Sequence, residues 1–238
     1  MAIHELLYFP VTALGEPIRL ALAVGGVDFK NTTTRNDDTF HERKKSLSPL
    51  GEAGQVPILV LPDGKALCQS RAIRGGRLRY LGKVCEFEGT PLYPTDPLAA
   101  YEADALIDLA DDMRSPVAST FGIADQAEKE AARAALWAEG GKQAKWAAAL
   151  DATLAKDPMA TLTIGNLYAF CMVNMFRTPT FLDGVPPGVF DQYANIAKHH
   201  DWIANLAPVK AYYADKEERE AFKPLAAEPA AKKAKTDA

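Results

Sequence analysis

Short apolar runs separated by polar turns fill the first third of the chain, a pattern typical of a small mixed sheet with covering helices. Residues 3–9 and 27–34 are rich in aromatic and β-branched side chains and predict two strands. Residues 16–25 between them predict a helix, with Pro17 in its first turn and glycine at its end. The pattern therefore begins with a β-α-β unit.

A second unit follows a polar stretch. The apolar run 57–61 predicts a buried strand, and residues 66–69 predict the strand that returns after the turn at 62–65. Ser70 is placed to cap a helix that runs to about Leu81. The N-terminal part is thus βαβ followed by ββα, an α/β arrangement.

The pattern becomes helical after residues 91–97, which hold three prolines. Asp96 and Pro97 match an N-cap and a first helical residue. Apolar residues then recur at helical spacing and predict helices over 98–121, 127–156, 163–178, 191–206 and 208–219. We predict an α/β N-terminal domain at 1–85, a linker at 86–96, an all-helical domain at 97–222 and a disordered tail at 223–238.

Composition and charge narrow the possible functions. The chain is 48% hydrophobic and 24% charged with a net charge of −4, which gives no reason to expect nucleic-acid binding. No apolar run approaches the length of about 18 residues that a transmembrane helix needs, and the first residues do not resemble a secretory signal. Three widely spaced cysteines argue against a disulfide framework, so we expect a reducing, cytoplasmic location without membrane association.

Two polar features are predicted to have no catalytic role. His199 and His200 adjoin on a predicted helix, where we expect solvated surface and no metal site. The lysine-rich segment 232–235 is either a nuclear signal or, as we favour, part of a solubilising tail.

Several short motifs occur in the same order, and on the same predicted elements, as in a known family. They are Leu7-Tyr8-Phe9, Glu16-Pro17-Ile18-Arg19-Leu20, Gln55-Val56-Pro57, Gln69-Ser70-Arg71-Ala72-Ile73 and Leu78-Arg79-Tyr80-Leu81-Gly82. Together they resemble the glutathione transferases, and most closely the tyrosine-using sigma and mu-like classes. The resemblance extends over residues 3–215 and is weaker in the second half.

This resemblance implies a thioredoxin-like N-terminal domain, an all-helical C-terminal domain, and glutathione as a co-substrate with no other cofactor. It also implies an enzyme that activates the glutathione thiol, whose ordinary pKa of about 8.5 leaves little thiolate at neutral pH. Lowering that pKa by about two units requires about 2.7 kcal/mol, and one hydrogen bond to a charged acceptor supplies roughly 1.5–3 kcal/mol. Tyr8 matches the family's thiolate-stabilising tyrosine. The alternative is an aromatic residue that only packs at the edge of the core.

The same resemblance implies which residues bind glutathione. Gln55, Val56 and Pro57 would hold its backbone beside a cis proline, although a proline at the start of a strand is also common. Gln69 and Ser70 would bind the γ-glutamyl end, since a helix N-terminus offers a hydroxyl and free N–H groups to a carboxylate. Ser70 can equally be a plain N-cap, and both roles use the same end of the helix.

Two charged contacts are also implied. Lys44 or Lys45, after Phe40, would meet the glycine carboxylate, and surface lysines are the alternative. Asp104 would reach the glutamyl amine bound by the neighbouring subunit of a homodimer. Three further aspartates follow on the same predicted helix, so a solvated acidic face is an equally good interpretation.

The sequence departs from the family pattern at several places. Leu14 stands where the family commonly has an arginine close to the sulfur, and residues 51–54 and 74–77 look like insertions. Thr163 keeps the family's helix cap, but Asn166 replaces its Asp, and an amide can still accept one hydrogen bond. The missing cation at Leu14 and the two apparent insertions motivate a second hypothesis, a non-catalytic binding or structural protein with the same fold.

The second substrate of an active enzyme would be a small electrophilic compound bound between the domains, against the helix at 98–121. Met113, Phe121 and Tyr212 are candidates to line that pocket, although each is more often simply core. A peroxidase-like or isomerase activity would share the glutathione site, and the sequence does not separate it from conjugation.

Overall fold

A computed structural model of the protein describes residues 3–33, 38–48, 55–68, 78–156, 159–177 and 182–214. Within these ranges a small mixed sheet precedes a larger helical region, so the predicted fold class is confirmed. The division at 85, 96 and 222 stays a prediction.

A four-stranded sheet has the strand order β2-β1-β3-β4. Its strands are β1 His4–Tyr8, β2 Phe29–Thr33, β3 Ile58–Val60 and β4 Ala66–Leu67. β1 and β2 are parallel and are joined through helix α1, Glu16–Val24, whereas β1 with β3 and β3 with β4 are antiparallel. The predicted βαβ and ββ units are confirmed, and they form the mixed sheet of a thioredoxin-like domain.

Successive side chains of β1 point to opposite faces of the sheet, and they pack into two different apolar clusters. Leu6 and Tyr8 belong to the large core shared with α1 and the helical region. Leu7 belongs to a second cluster with Ile58 and Phe40. Tyr8 therefore lies on the face of the sheet that meets the helices.

Two more helices complete the N-terminal part. Helix α2, Asp38–Leu47, covers the second cluster through Phe40. Helix α3, whose described part is 78–84, packs Leu81 into the large core. The start of the helix that we predicted from Ser70 lies outside the described residues.

The predicted linker contains a short hairpin that the sequence analysis missed. Strands β5, Glu86–Phe87, and β6, Thr90–Pro91, pair around a two-residue turn. Glu88 and Gly89 in this turn have φ values of 51° and 76°, the left-handed region that such tight turns require. Glu-Gly is a weaker turn signal than Asn-Gly, which explains the omission.

Helix α4 begins where the sequence predicted. The Asp96 side chain accepts hydrogen bonds from the N–H groups of Leu98 and Ala99, and Pro97 is the first helical residue. The helices of this region are α4 Pro97–Arg114, followed by a 3-10 helix Ser115–Gly122, α5 Gln126–Trp137, α6 Lys142–Leu154, α7 Ile164–Arg177, α8 Ala194–Ala204 and α9 Ala207–Tyr213. The single helix predicted over 127–156 is in fact two, because Gly140 turns the chain with a φ of 74°.

Helix α7 is the centre of the helical region, and its residues 164–176 are all buried. Gly165 allows α7 to approach α4, since a Cβ there would lie 2.5 Å from the Ala103 carbonyl oxygen. None of the described helices is both long and apolar enough to cross a membrane.

The expectation that His199 and His200 lie on a solvated surface is wrong. They are 2% and 0% exposed, because they share the inner face of α8 with Ile196 and Ile203 at helical spacing. Nε2 of His200 lies 3.1 Å from Nη1 of Arg177, and burial together with this cation lowers the pKa of His200 well below its usual value.

The cap of α7 explains the asparagine at position 166. Asn166 Oδ1 accepts a hydrogen bond from the N–H of Thr163 at 2.9 Å, which is the reciprocal bond of a capping box. Its Nδ2 lies 3.1 Å from Nε2 of His199. The amide thus caps α7 and also connects it to α8.

Candidate functional site

The candidate site centres on Tyr8, the last residue of β1, whose side chain is 6% exposed. The ring packs against Gly15, where a Cβ would lie only 2.4 Å from Cδ1 of Tyr8. Phe9 supports it from the side with a ring-centroid distance of 5.5 Å. Position 15 therefore needs glycine for the ring to occupy this place.

The Tyr8 hydroxyl accepts a hydrogen bond from the backbone N–H of Leu14 at 3.3 Å. A phenol donates through one hydrogen and accepts through two lone pairs, so this bond is compatible with donation to a bound anion. Donation of an N–H to the phenol oxygen also makes its O–H a stronger hydrogen-bond donor. Leu14 stands where the family commonly has an arginine, and its backbone N–H dipole points at the hydroxyl oxygen of Tyr8.

The loop between β1 and α1 is held by Arg19, which is 5% exposed. Its guanidinium donates to the carbonyl oxygens of Phe9, at 3.1 Å, and Val11, at 2.9 Å, and to Asn31 Oδ1, at 3.1 Å. The carbon atom Cζ of Arg19 lies 5.7 Å from the centroid of the Tyr8 ring. One side chain therefore fixes the loop on both sides of Pro10.

Two residues that the sequence analysis gave no role complete this arrangement. Glu16, 3% exposed, accepts from Arg19 at Oε2 and from the hydroxyl of Tyr213 at Oε1, each at 3.0 Å. Glu16 and Arg19 lie one turn apart in an otherwise apolar helix, a spacing that could have signalled a buried ion pair. Tyr213 gave no such signal, because its partner is 197 residues away.

The segment Gln55-Val56-Pro57 lies beside Tyr8. β1 and β3 pair Leu7 with Ile58, and continuing this antiparallel register places Pro57 opposite Tyr8. The Val56–Pro57 peptide bond is cis, as the resemblance implied. Gln55 is exposed, Val56 is half-buried and Pro57 is buried. The structure therefore brings these predicted glutathione contacts next to the predicted catalytic residue.

Helix α2 supplies the predicted basic contacts. Phe40 is 2% exposed and stacks on Phe9 with ring centroids 5.0 Å apart, so it serves the core and carries no hydrogen-bond donor. Lys44 is half-buried and Lys45 is exposed. Lys44 lies one turn after Phe40 on the same helix and stays our predicted contact to the glycine carboxylate.

Gln69 and Ser70 lie outside the described residues, as do the apparent insertions at 51–54 and 74–77. Their predicted roles stay predictions.

Asp104 on α4 is engaged within its own chain. Its carboxylate accepts from the guanidinium of Arg79 and, at 3.0 Å, from the hydroxyl of Tyr93. Asp108 and Asp112 on the same helix are exposed, whereas Asp111 is buried and accepts from Tyr168 at 3.0 Å. The predicted contact of Asp104 to a neighbouring subunit would have to share its carboxylate with these partners.

The three residues predicted to line a pocket for the second substrate differ in how deeply they are buried. Met113 is fully buried, Phe121 is 52% exposed, and Tyr212 is half-buried. Burial and the nearby Glu16 raise the pKa of Tyr212 far above its usual value. Of the three residues, Met113 packs in the core because it is fully buried.

In the described part of the chain, no group of three or more His, Cys, Asp or Glu side chains could hold a metal ion. Cys68, Cys85 and Cys171 form no disulfide bond, and burial raises the pKa of Cys85 to about 11.

Comparison with known proteins agrees with this geometry. Residues 15–75 match the family model described as "Glutathione S-transferase, N-terminal domain". A glutathione S-transferase of Anopheles gambiae is 31% identical over 129 residues, which are 53% of this chain and 55% of that protein. The chain thus aligns with about half the length of this curated relative.

Two solved structures show the extent of the similarity. Prostaglandin synthase D of Nilaparvata lugens is 27% identical, with a TM-score of 0.70, and the match covers 90% of this chain and 98% of that one. A glutathione S-transferase from Methylobacillus flagellatus with glutathione bound is 22% identical, with a TM-score of 0.63 and coverage of 88% and 98%. At that identity the second likeness concerns the fold alone.

Proposed function

We propose that the chain is a glutathione S-transferase, which binds glutathione and transfers it to a small electrophilic compound, with Tyr8 stabilising the thiolate. The observation that carries this proposal is the position of Tyr8. Tyr8 ends β1 opposite Pro57 of the cis Val56–Pro57 segment, and its hydroxyl is polarised by the N–H of Leu14. Such a hydroxyl is suited to donate a hydrogen bond to a sulfur held against that segment.

In the proposed reaction the thiol of glutathione loses its proton to solvent, and the thiolate accepts the hydrogen bond of Tyr8. Its sulfur then attacks an electrophilic carbon, forming a carbon–sulfur bond as the leaving group departs. The protein contributes a lowered thiol pKa and a fixed orientation of the sulfur. The residues proposed to hold the peptide are Gln55, Val56, Pro57, Gln69, Ser70 and Lys44. Asp104 was predicted to join them, but Arg79 and Tyr93 already bind its carboxylate, so we expect it to contribute little to glutathione binding.

The remaining features belong to the same proposal. We propose that the protein is closest to the tyrosine-type sigma and mu-like classes, is cytoplasmic and forms a homodimer. Leu98 and Tyr101 in the first turns of α4 are 66% and 67% exposed, which suits a surface that a second subunit covers. Sedimentation as a monomer at micromolar concentration would contradict the dimer.

A second candidate activity is favoured by one comparison. The Nilaparvata lugens protein, similar over nearly its whole length, is a prostaglandin synthase. A lipid substrate that reacts at the same glutathione thiolate is therefore the alternative to a small conjugated electrophile. Turnover of a prostaglandin precursor, compared with that of an activated aromatic halide, separates the two.

The deciding experiment is a titration of glutathione with the protein at neutral pH, followed by the ultraviolet absorbance of the thiolate. We expect a thiolate band at saturation. In Tyr8→Phe the thiol pKa should rise by about 1–2 units and turnover should fall roughly tenfold to hundredfold, with glutathione affinity nearly intact. Tyr193→Phe is the matched control, because Tyr193 donates to the Ala144 carbonyl within the helical region.

Unchanged turnover in Tyr8→Phe would refute the role given to Tyr8. Absence of a thiolate band in the folded wild-type protein would instead support the hypothesis of a non-catalytic relative. Retention on immobilised glutathione then shows whether the binding site itself is intact.

A further inference from the structure

The loop that follows Tyr8 is held in a conformation that it would not favour by itself. Ala13 has a φ of 32°, within the left-handed region that residues with a side chain rarely adopt. The same loop presents the N–H of Leu14 to the Tyr8 hydroxyl. A strained backbone persists only when surrounding contacts over-determine it, so the contacts that fix this loop matter for Tyr8.

Arg19 supplies those contacts through the carbonyl oxygens of Phe9 and Val11. A guanidinium that is 5% exposed needs a counter-charge, and Glu16, 3% exposed, provides it. A buried ion pair keeps one geometry only when its remaining hydrogen-bonding positions are also filled. Oε2 of Glu16 accepts the bond from Arg19, so Oε1 is the carboxylate oxygen that needs another donor.

Tyr213 fills that position from the other end of the chain. Its hydroxyl donates to Oε1 of Glu16 at 3.0 Å, and its side chain is 5% exposed. Tyr213 is the last residue of α9, which packs against α1. Burial and the Glu16 charge raise the pKa of Tyr213 well above its usual value, so it stays a donor at all relevant pH values.

We propose that Tyr213 is a positioning residue for Tyr8, acting through Glu16, Arg19 and the loop 9–15. The hydroxyl of Tyr213 fixes the Glu16 carboxylate, the carboxylate fixes the guanidinium, and the guanidinium holds the loop whose Leu14 N–H orients the Tyr8 hydroxyl. The effect on the sulfur rests on the proposed function of Tyr8, whereas the effect on the loop does not.

The test removes one oxygen atom in Tyr213→Phe and uses Tyr193→Phe as the matched loss of a buried tyrosine hydroxyl. Residue-resolved amide hydrogen exchange by NMR, without glutathione, reports on the loop. We expect the Leu14 amide to exchange about fivefold faster in Tyr213→Phe, with the amides of β1 and β2 unchanged. In Tyr193→Phe the Leu14 amide should keep its wild-type rate, even where the melting temperatures of the two variants fall equally.

The second measurement is the pH titration of the thiolate band of bound glutathione. We expect the thiol pKa to rise by about half a unit in Tyr213→Phe, equivalent to about threefold less thiolate below that pKa, with the KM for glutathione within twofold. Glu16→Gln retains the shape of the side chain but loses its charge. This variant should also speed the exchange of the Leu14 amide and raise the thiol pKa.

The outcomes are distinct. Wild-type Leu14 exchange in Tyr213→Phe would overturn the proposal, whatever the titration shows. Faster exchange with an unchanged thiol pKa would overturn the link to the sulfur. A wild-type protein without any thiolate band would refute the proposed function, while the exchange data would still decide whether Tyr213 positions the loop.

Discussion

The guanidinium of Arg79 binds the carboxylate of Asp104 through Nε, which lies 2.9 Å from Oδ1, and through Nη2, which lies 2.8 Å from Oδ2. Tyr93 adds a hydrogen bond from its hydroxyl to Oδ2 at 3.0 Å. These contacts connect α3, the segment before α4, and α4 itself. Asp104 therefore has a structural role within one chain.

We predict that Asp104→Asn destabilises the protein and hardly affects glutathione. The pair is partly exposed, so the free energy of unfolding should fall by about 0.5–1 kcal/mol. The KM for glutathione should change less than twofold, since the carboxylate is already shared by two donors. Denaturant unfolding and steady-state kinetics measure the two effects. Asp108→Asn, an exposed change on the same helix, is the control. A large loss of glutathione affinity at unchanged stability would instead restore the ligand role.

Gly15→Ala tests the packing of the Tyr8 ring. A Cβ at position 15 would lie 2.4 Å from Cδ1, so the ring must move. We expect turnover to fall roughly tenfold to hundredfold, as for other small displacements of a reacting group, while the protein stays folded. Gly122→Ala, where a Cβ meets nothing within 4 Å, is the control. Equal turnover in both variants would show that the ring position does not matter.

Leu14→Arg restores a cation near the proposed sulfur site. A positive charge within about 4–6 Å of a thiolate favours the charged form, so the thiol pKa of bound glutathione should fall, by at most about one unit on this half-exposed loop. The backbone N–H that Tyr8 accepts is retained in the variant. The thiolate titration compared with that of Leu14→Met measures the effect. A thiol pKa that does not change, or rises, in Leu14→Arg would place residue 14 away from the sulfur.

The buried His200 should make the free energy of unfolding decrease in acid. Its pKa is lowered in the folded state, so below its ordinary value of about 6.5 the unfolded chain binds a proton that the folded chain does not. Stability should thus be full above that pH and decline as the pH falls, at up to about 1.4 kcal/mol per pH unit. Denaturant unfolding across this range should show a steeper decline in wild type than in His200→Gln. His41→Gln, which changes an exposed histidine, should leave the slope as it is. Parallel slopes in wild type and His200→Gln would contradict the assignment.

The elements of the sheet were predictable because their signals are local. Short apolar runs predict β1 and β3. Pro17 and the glycine at residue 25 mark the two ends of α1, and Pro97 marks the start of α4. The α5–α6 break was missed because the predicted helix was continued through residues 138–141, where Gly140 turns the chain with a φ of 74°. The burial of His200 was missed because residue type was weighed above its position on the inner stripe of α8.

The site was predictable to a smaller extent. The motif around Tyr8 and the Gln55-Val56-Pro57 segment lie next to each other because adjacent strands carry them, and strand pairing can be anticipated from sequence. The bond between Tyr213 and Glu16 joins residues from opposite ends of the described chain, and no local pattern encodes such a contact. The engagement of Asp104 by Arg79 likewise depends on how α3 meets α4.

Helix α1 packs against both α7 and α9, so the proline-rich segment at 91–97 is a poor place to recombine this chain with a relative. A chimera joined there would take Glu16 from one parent and Tyr213 from the other. Unless both parents carry the pair, the buried carboxylate loses its donor from α9. Exchange of N-terminal halves among relatives should therefore succeed only when the last helix is exchanged with them.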